Sequence, residues 1–125
     1  GILAYAGDEP VGWCALGPRD GYARLSRSRT LKPVDDRAAW SIVCFFVKRD
    51  WRGKGVAAAL VDAAIAFAAG HGATLVEAYP VDVVGGRRAR AGDICTGTLA
   101  LFERAGFDEV ARWSPRRPIV RRELA

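Results

Sequence analysis

Apolar and polar positions alternate along this chain in several distinct ways. Ile42-Val43-Cys44-Phe45-Phe46-Val47 is apolar without interruption, which is how a strand reads when both faces of its sheet are covered. With Trp40 and Ser41 the expected strand covers residues 40–47. Past a short polar stretch, Val56, Leu60, Ala63, Ala64 and Phe67 recur at helical spacing and form the apolar stripe of an amphipathic helix. Gly70-His71-Gly72-Ala73 ends that helix, and residues 74–80 make the next strand. A strand, helix, strand unit of this length implies a right-handed crossover and parallel pairing.

Residues 2–6 and 11–16 flank Gly7-Asp8-Glu9-Pro10 and read as a hairpin beside the central strand. Residues 17–39 show no period and mark a long loop with one short helical turn; residues 83–97, rich in Gly and Arg, read as a second loop and a flexible lid. Residues 98–105 form a short helix with Gly106 as its left-handed stop. Residues 107–113 and 118–124, joined by Ser114-Pro115-Arg116-Arg117, close the fold as a hairpin. The expected class is α+β or α/β: a mixed central sheet with antiparallel hairpins around a strand-helix-strand core, in one domain spanning residues 1–125. The side chains of Trp13, Phe45 and Phe46 are read as core.

Between the central strand and the long helix stands Arg52-Gly53-Lys54-Gly55-Val56-Ala57. Glycines let a backbone approach a ligand closely, and the first N–H groups of a helix lack internal partners, so a strand, glycine turn and helix start make an anion cradle. Arg52 and Lys54 add full charges. The P-loop pattern fails because Val56 follows Gly55, and the dinucleotide fingerprint fails because Ala58 stands at its third glycine. What fits is [Q/R]-x-x-G-x-[G/A], and after an apolar strand this resembles the pyrophosphate loop of the GNAT superfamily of N-acetyltransferases. Thr98-Leu99-Ala100-Leu101-Phe102-Glu103-Arg104-Ala105-Gly106-Phe107 is similar to the same family's second acyl-CoA segment.

The resemblance implies a GNAT-like fold and acetyl-CoA as co-substrate. It assigns cofactor contacts to the main chain of Phe45, Phe46 and Val47, where the strand splays from its parallel neighbour, to the loop Arg52, Gly53, Lys54, Gly55, Val56 and Ala57, and to Phe102. It implies direct attack of a primary amine on the thioester, with no acyl-enzyme. A lysine-like amine has pKa ~10.4, so its neutral form at pH 7 is scarce by about 10³-fold, costing on the order of 4–5 kcal/mol. A base or water relay is therefore valuable. Glu77 and Tyr79 share a strand face that would look into the reaction cleft, and are the candidate base and acid; Asp82 and Asp36 follow Glu77 as bases. The family's usual acid, a tyrosine, falls at Phe102, and its usual asparagine falls at Cys95. A thiolate with pKa near ~8.5 leaves tolerably without an acid.

Composition narrows the alternatives. At 125 residues the chain builds one hydrophobic core. It has no apolar run of membrane-spanning length and no leading basic-plus-apolar segment, so a cytoplasmic, unsecreted protein is expected. Three cysteines without a C-x-x-C pair, and His71 as the one histidine, support neither a disulfide framework nor a metal site. Cys44 is read as a core residue. His71 is read as an exposed helix-end residue, ~25 Å from the glycine loop at ~1.5 Å per residue.

The net charge of +5 raises a nucleic-acid partner, but the arginines are scattered, with Arg87, Arg88 and Arg90 and the pair Arg116-Arg117 as the clusters. The phosphate-rich co-substrate is the preferred anion. Asp35-Asp36 is either a hold for a cationic acceptor or a solvated turn. No Met occurs, position 1 included; the chain is read as processed or truncated, lacking the family's first strand and following helices, which form part of the acceptor site. The edge so left would favour a homodimer. Two further readings stay open: a non-catalytic acyl-CoA-binding module and a basic nucleic-acid-binding domain.

Overall fold

The computed structural model describes residues 1–22, 25, 28, 34, 35, 37–80 and 98–124. Ile2–Ala6 (β1) and Glu9–Pro18 (β2) form the first hairpin, and Trp40–Val47 (β3) pairs antiparallel with β2. The helix Val56–Gly70 (α1) then crosses over to Leu75–Ala78 (β4), which lies parallel to β3. The short helix Leu99–Arg104 (α2) leads to the hairpin of Asp108–Ala111 (β5) and Ile119–Glu123 (β6), and β6 pairs antiparallel with β4. The sheet order is β1-β2-β3-β4-β6-β5, so the expected mixed sheet is what the chain forms. Among the described residues no helix is long and apolar enough to cross a membrane.

Two irregularities in the pairing position the site. The β2–β3 register shifts between Ala15 and Leu16, where Ala15 faces Cys44 and Leu16 faces Ile42, so β3 carries one extra residue, Val43, at a bulge that bends it. The parallel β3–β4 ladder spans Trp40 to Ile42 and stops at the pair Ile42 and Ala78. From Val43 onward β3 parts from β4, and its far half presents main chain that β4 does not pair.

The main core lies between the sheet and the helices, where Cys14, Ile42, Phe45, Leu60, Val61, Ala64, Ala68, Val76 and Phe102 are buried together. The phase of α1 differs from the sequence expectation. Leu60, Val61, Ala64 and Ala68 are buried, while Ala63 is exposed and Phe67 stays 43% exposed. Nearly every residue of α1 is apolar, so the sequence offers little polar contrast to fix which side turns inward. Phe67 instead packs at the sheet margin against Trp40 at 6.0 Å and stacks on His71 at 4.3 Å. His71 is exposed at the helix end, as expected.

The opposite sheet face holds a smaller cluster of Leu25, Tyr79 and Ile119, with Val43 against it. Further along that face Trp13 and Phe46 stand opposite each other in register. They are 38% and 56% exposed, against the expectation that both are core; they alternate with Cys14 and Phe45, whose side chains point to the α1 side and are buried.

Candidate active site

The turn from β3 into α1 is built by sequence-local rules. A single 3₁₀ turn at Arg49–Trp51 follows β3, and Gly53 and Gly55 both take positive φ, +77° and +85°. A side chain in that conformation costs roughly 1–2 kcal/mol, which explains the two glycines. Added methyl groups there would meet nothing within 4 Å, so the requirement is conformational and the space above the loop is open. Gly55 is the N-cap of α1 and supplies no side-chain cap. None of the backbone N–H groups from Gly53 to Ala58 has a protein acceptor among the described residues; the first bond of the helix runs from Ala59 N–H to the Gly55 carbonyl. Six donors therefore stand free at the positive end of a helix of 15 residues.

These donors open on a cleft of about 510 Å³, lined by Phe45, Phe46 and Val47 at the splayed end of β3 and by Arg52, Gly53, Gly55, Val56 and Ala57 of the loop and helix start. Arg52 is aimed by its own backbone neighbourhood, its Nε donating to the Val47 carbonyl at 3.2 Å. Lys54 is outside the lining, with Nζ 5.2 Å from the centroid of the Trp51 ring. The far wall is α2, whose Thr98, Leu101 and Arg104 face the cleft at helical spacing. Thr98 also caps that helix, its hydroxyl accepting from Leu101 N–H at 3.4 Å. Trp51 and Ala58 are lining residues that the sequence reading did not name, and Thr98, Leu101 and Arg104 lie in the second acyl-CoA segment, of which it named only Phe102 as a contact. The i, i+3 spacing of 98, 101 and 104 was the available signal.

Phe102, on the opposite side of α2, is fully buried against Phe45 at 5.8 Å and Phe107 at 5.2 Å. It orients α2 from behind and does not line the cleft. Gly106, at φ +89°, ends the helix as expected.

Glu77 and Tyr79 share a face of β4, but that face is sealed: they are 0% and 2% exposed. Arg19 Nη1 donates to Glu77 Oε1 at 2.6 Å, and Arg121 Nε donates to Oε2 at 2.7 Å. The Tyr79 hydroxyl donates to Glu77 Oε1 at 2.8 Å, accepts from Arg19 at 2.6 Å and lies 2.7 Å from Ser41 Oγ. Burial first, and then the Glu77 charge, push the Tyr79 phenol well above its ordinary pKa, against the opposing pull of Ser41 and Arg19. Asp35 completes the cluster by accepting both terminal nitrogens of Arg121, at 2.7 and 3.1 Å. That pairing comes first among the causes that lower the Asp35 carboxyl to about 2, and Asp35 heads the causes that push the Arg121 guanidinium up. A carboxylate with both oxygens held by guanidinium groups and no open path is not placed to touch an acceptor amine. Neither Glu77 nor Tyr79 is among the residues that line the cleft between β3, α1 and α2. Asp36, Asp82, Arg87, Arg88, Arg90 and Cys95, with the expected lid, lie outside the described residues.

The sequence profile of the Acetyltransferase (GNAT) family matches residues 1–107. No curated protein matches the chain. Among solved structures, a GNAT-family acetyltransferase from Desulfovibrio desulfuricans superposes with a TM-score of 0.64 at 22% identity, over 98% of this chain and 68% of that one. An acetyltransferase from Bacillus subtilis in complex with CoA gives 0.63 at 20% identity, over 98% and 75%. The NatC complex bound to Gag peptide and CoA gives 0.63 at 16% identity, over 98% and 66%. At such identities the likeness speaks for the fold, and the chain spans about two thirds to three quarters of the length of these structures.

Proposed function

The chain belongs to the GNAT family of acetyltransferases, and on that premise we propose that it transfers an acetyl group from acetyl-CoA directly to a primary amine of a small molecule or peptide. One observation carries the reading: free amides from Gly53 to Ala58 open on the same cleft as the unpaired edge of β3. A diphosphate suits the first, and an extended pantetheine arm with its two amides suits the second, as an added strand would. That two structures sharing the fold hold CoA supports the same reading.

In this scheme the acceptor nitrogen attacks the thioester carbonyl carbon, the C–S bond breaks, and an amide and the free thiol of CoA result. The chain contributes binding and alignment, which alone convert a bimolecular encounter into a local one. The attacking amine gives up one proton to water and the departing thiolate takes one from water; Glu77 and Tyr79 are occupied with Arg19, Arg121 and Ser41, so water is the base this reading uses. With water as base, log(kcat/KM) rises by about one per pH unit up to the acceptor's own pKa. A plateau set by a carboxylate far below it would assign a protein base.

Isothermal titration with acetyl-CoA tests the reading. Wild-type protein should bind and Gly53→Asp should not, since a carboxylate would stand where the diphosphate goes. Absence of binding at millimolar acetyl-CoA would overturn it.

A further inference from the structure

The sequence set Arg116-Arg117 apart as a basic pair, and the structure gives Arg117 a partner at the end of β4: its Nη2 donates to the Tyr79 carbonyl at 3.2 Å. We propose that Arg117 is a positioning residue for the donor: by holding that carbonyl it keeps β4 from pairing with β3 beyond Ile42, and so keeps free the edge of β3 on which the acyl-CoA arm would lie. The inference rests on the acyl-CoA reading above and adds to it what holds the slot open.

The alternation of main-chain directions identifies the groups that compete. Leu124 N–H donates to the Thr74 carbonyl, so Val76 and Ala78 turn their main chain to β6, while Leu75, Glu77 and Tyr79 turn theirs to β3. On β3, Lys48 N–H donates to the Val11 carbonyl of β2, so beyond the bulge it is Phe45 and Val47 that turn away from β2, toward the gap. The Val47 carbonyl accepts from Arg52 on that open side. The ladder ends at the pair Ile42 and Ala78. The Tyr79 carbonyl is therefore the next acceptor that β4 would offer, and Phe45 N–H the next donor on β3. Arg117 takes the acceptor. Its approach is fixed at both ends: its own N–H donates to the Ser114 carbonyl at 3.1 Å in the turn before β6, and the Tyr79 ring is anchored through its hydroxyl to Ser41 and Glu77. Tyr79 is buried, and a buried carbonyl needs a donor. Without the guanidinium, closing on β3 supplies one, and that bond would compete with the ligand for the same edge.

The ordinary alternative is that Arg117 only ties the β5–β6 turn to the end of β4. That role affects stability without regard to ligand. Amide hydrogen exchange of the ligand-free protein, titration with CoA and thermal melts separate the two, on wild type, Arg117→Met and Arg117→Lys. Methionine keeps the apolar stem and removes the donor, whereas lysine keeps a donor. In wild type the Phe45 amide should exchange freely. Arg117→Met should slow that exchange and weaken CoA binding, each by about tenfold, and Arg117→Lys should stay within about threefold of wild type in both. A Phe45 amide already protected in wild type, one left unchanged in Arg117→Met, an unchanged CoA affinity in that variant, an Arg117→Lys that behaves like it, or a variant that only melts lower or fails to fold would overturn the inference and leave the acyl-CoA reading standing. Failure of wild type to bind CoA would overturn both.

Discussion

Arg19 and Arg121 meet on Glu77 from opposite ends of the chain, 58 and 44 residues away in sequence. Removing the charge between them takes from each guanidinium its buried carboxylate partner, although Arg121 keeps Asp35, and breaking a buried pair in this way costs about 3–5 kcal/mol. Glu77→Gln should therefore lower the unfolding free energy by about that amount, read by urea denaturation, while leaving the pH slope of any acetyl transfer unchanged. A variant of wild-type stability with a shifted pH profile would return Glu77 to the role of base. The sequence placed Glu77 and Tyr79 on one face of a strand, which is how they lie. It could not show that face closed, because closure depends on two arginines and Asp35 brought together by the sheet.

Helix α1 owes its place to a contact as much as to its composition. A Cβ on Gly12 of β2 would come within 2.8 Å of Val56 Cγ1 and 3.2 Å of Leu60 Cδ1, so the first turns of the helix rest on the bare backbone of the strand. Gly12→Val should push that turn outward, lower stability by about 1–3 kcal/mol and weaken acetyl-CoA binding with it. Gly21→Ala, where no atom lies within 4 Å, should do neither; calorimetric melts and titration of both variants check this. The glycine loop and strand β3 were legible because their signals are local: two positive-φ glycines, an unbroken apolar run, a helix start. The face that α1 buries was not, since Asp62 is the only charged residue in its 15. The exposure of Trp13 and Phe46 was hidden for a related reason, because an apolar run on a bent strand does not say which alternate positions are left uncovered.

For the molecule as a whole, hairpin, crossover and closing hairpin could be read in order, and the sheet order follows from short connections and one right-handed crossover. The parting of β3 from β4 was expected through the family resemblance and not from the apolar pattern, which contains neither the end of the ladder at Ile42 nor the bulge at Val43 beside it. Stability should also respond to pH at both extremes. Burial raises the Cys14 thiol from its ordinary 9.0 to about 12, so the unfolded chain releases that proton first. The contribution is full below pH 9 and is lost as pH climbs toward 12, with Tyr79 acting in the same direction. Asp35 behaves oppositely, its lowered pKa giving stability that is present above its ordinary 3.8 and lost as pH falls through about 2. Cys14→Ala should flatten the alkaline limb of the melting profile.

The central claim is that unbonded amides at the mouth of α1 grip a diphosphate. Its most direct measurement is the backbone amide NMR spectrum of the full chain during titration with CoA. The largest shift changes should fall on Gly53, Lys54, Gly55, Val56, Ala57 and Ala58, with slowed hydrogen exchange at the same positions. Binding that leaves those six amides unmoved, with its changes elsewhere in the molecule, would contradict the account.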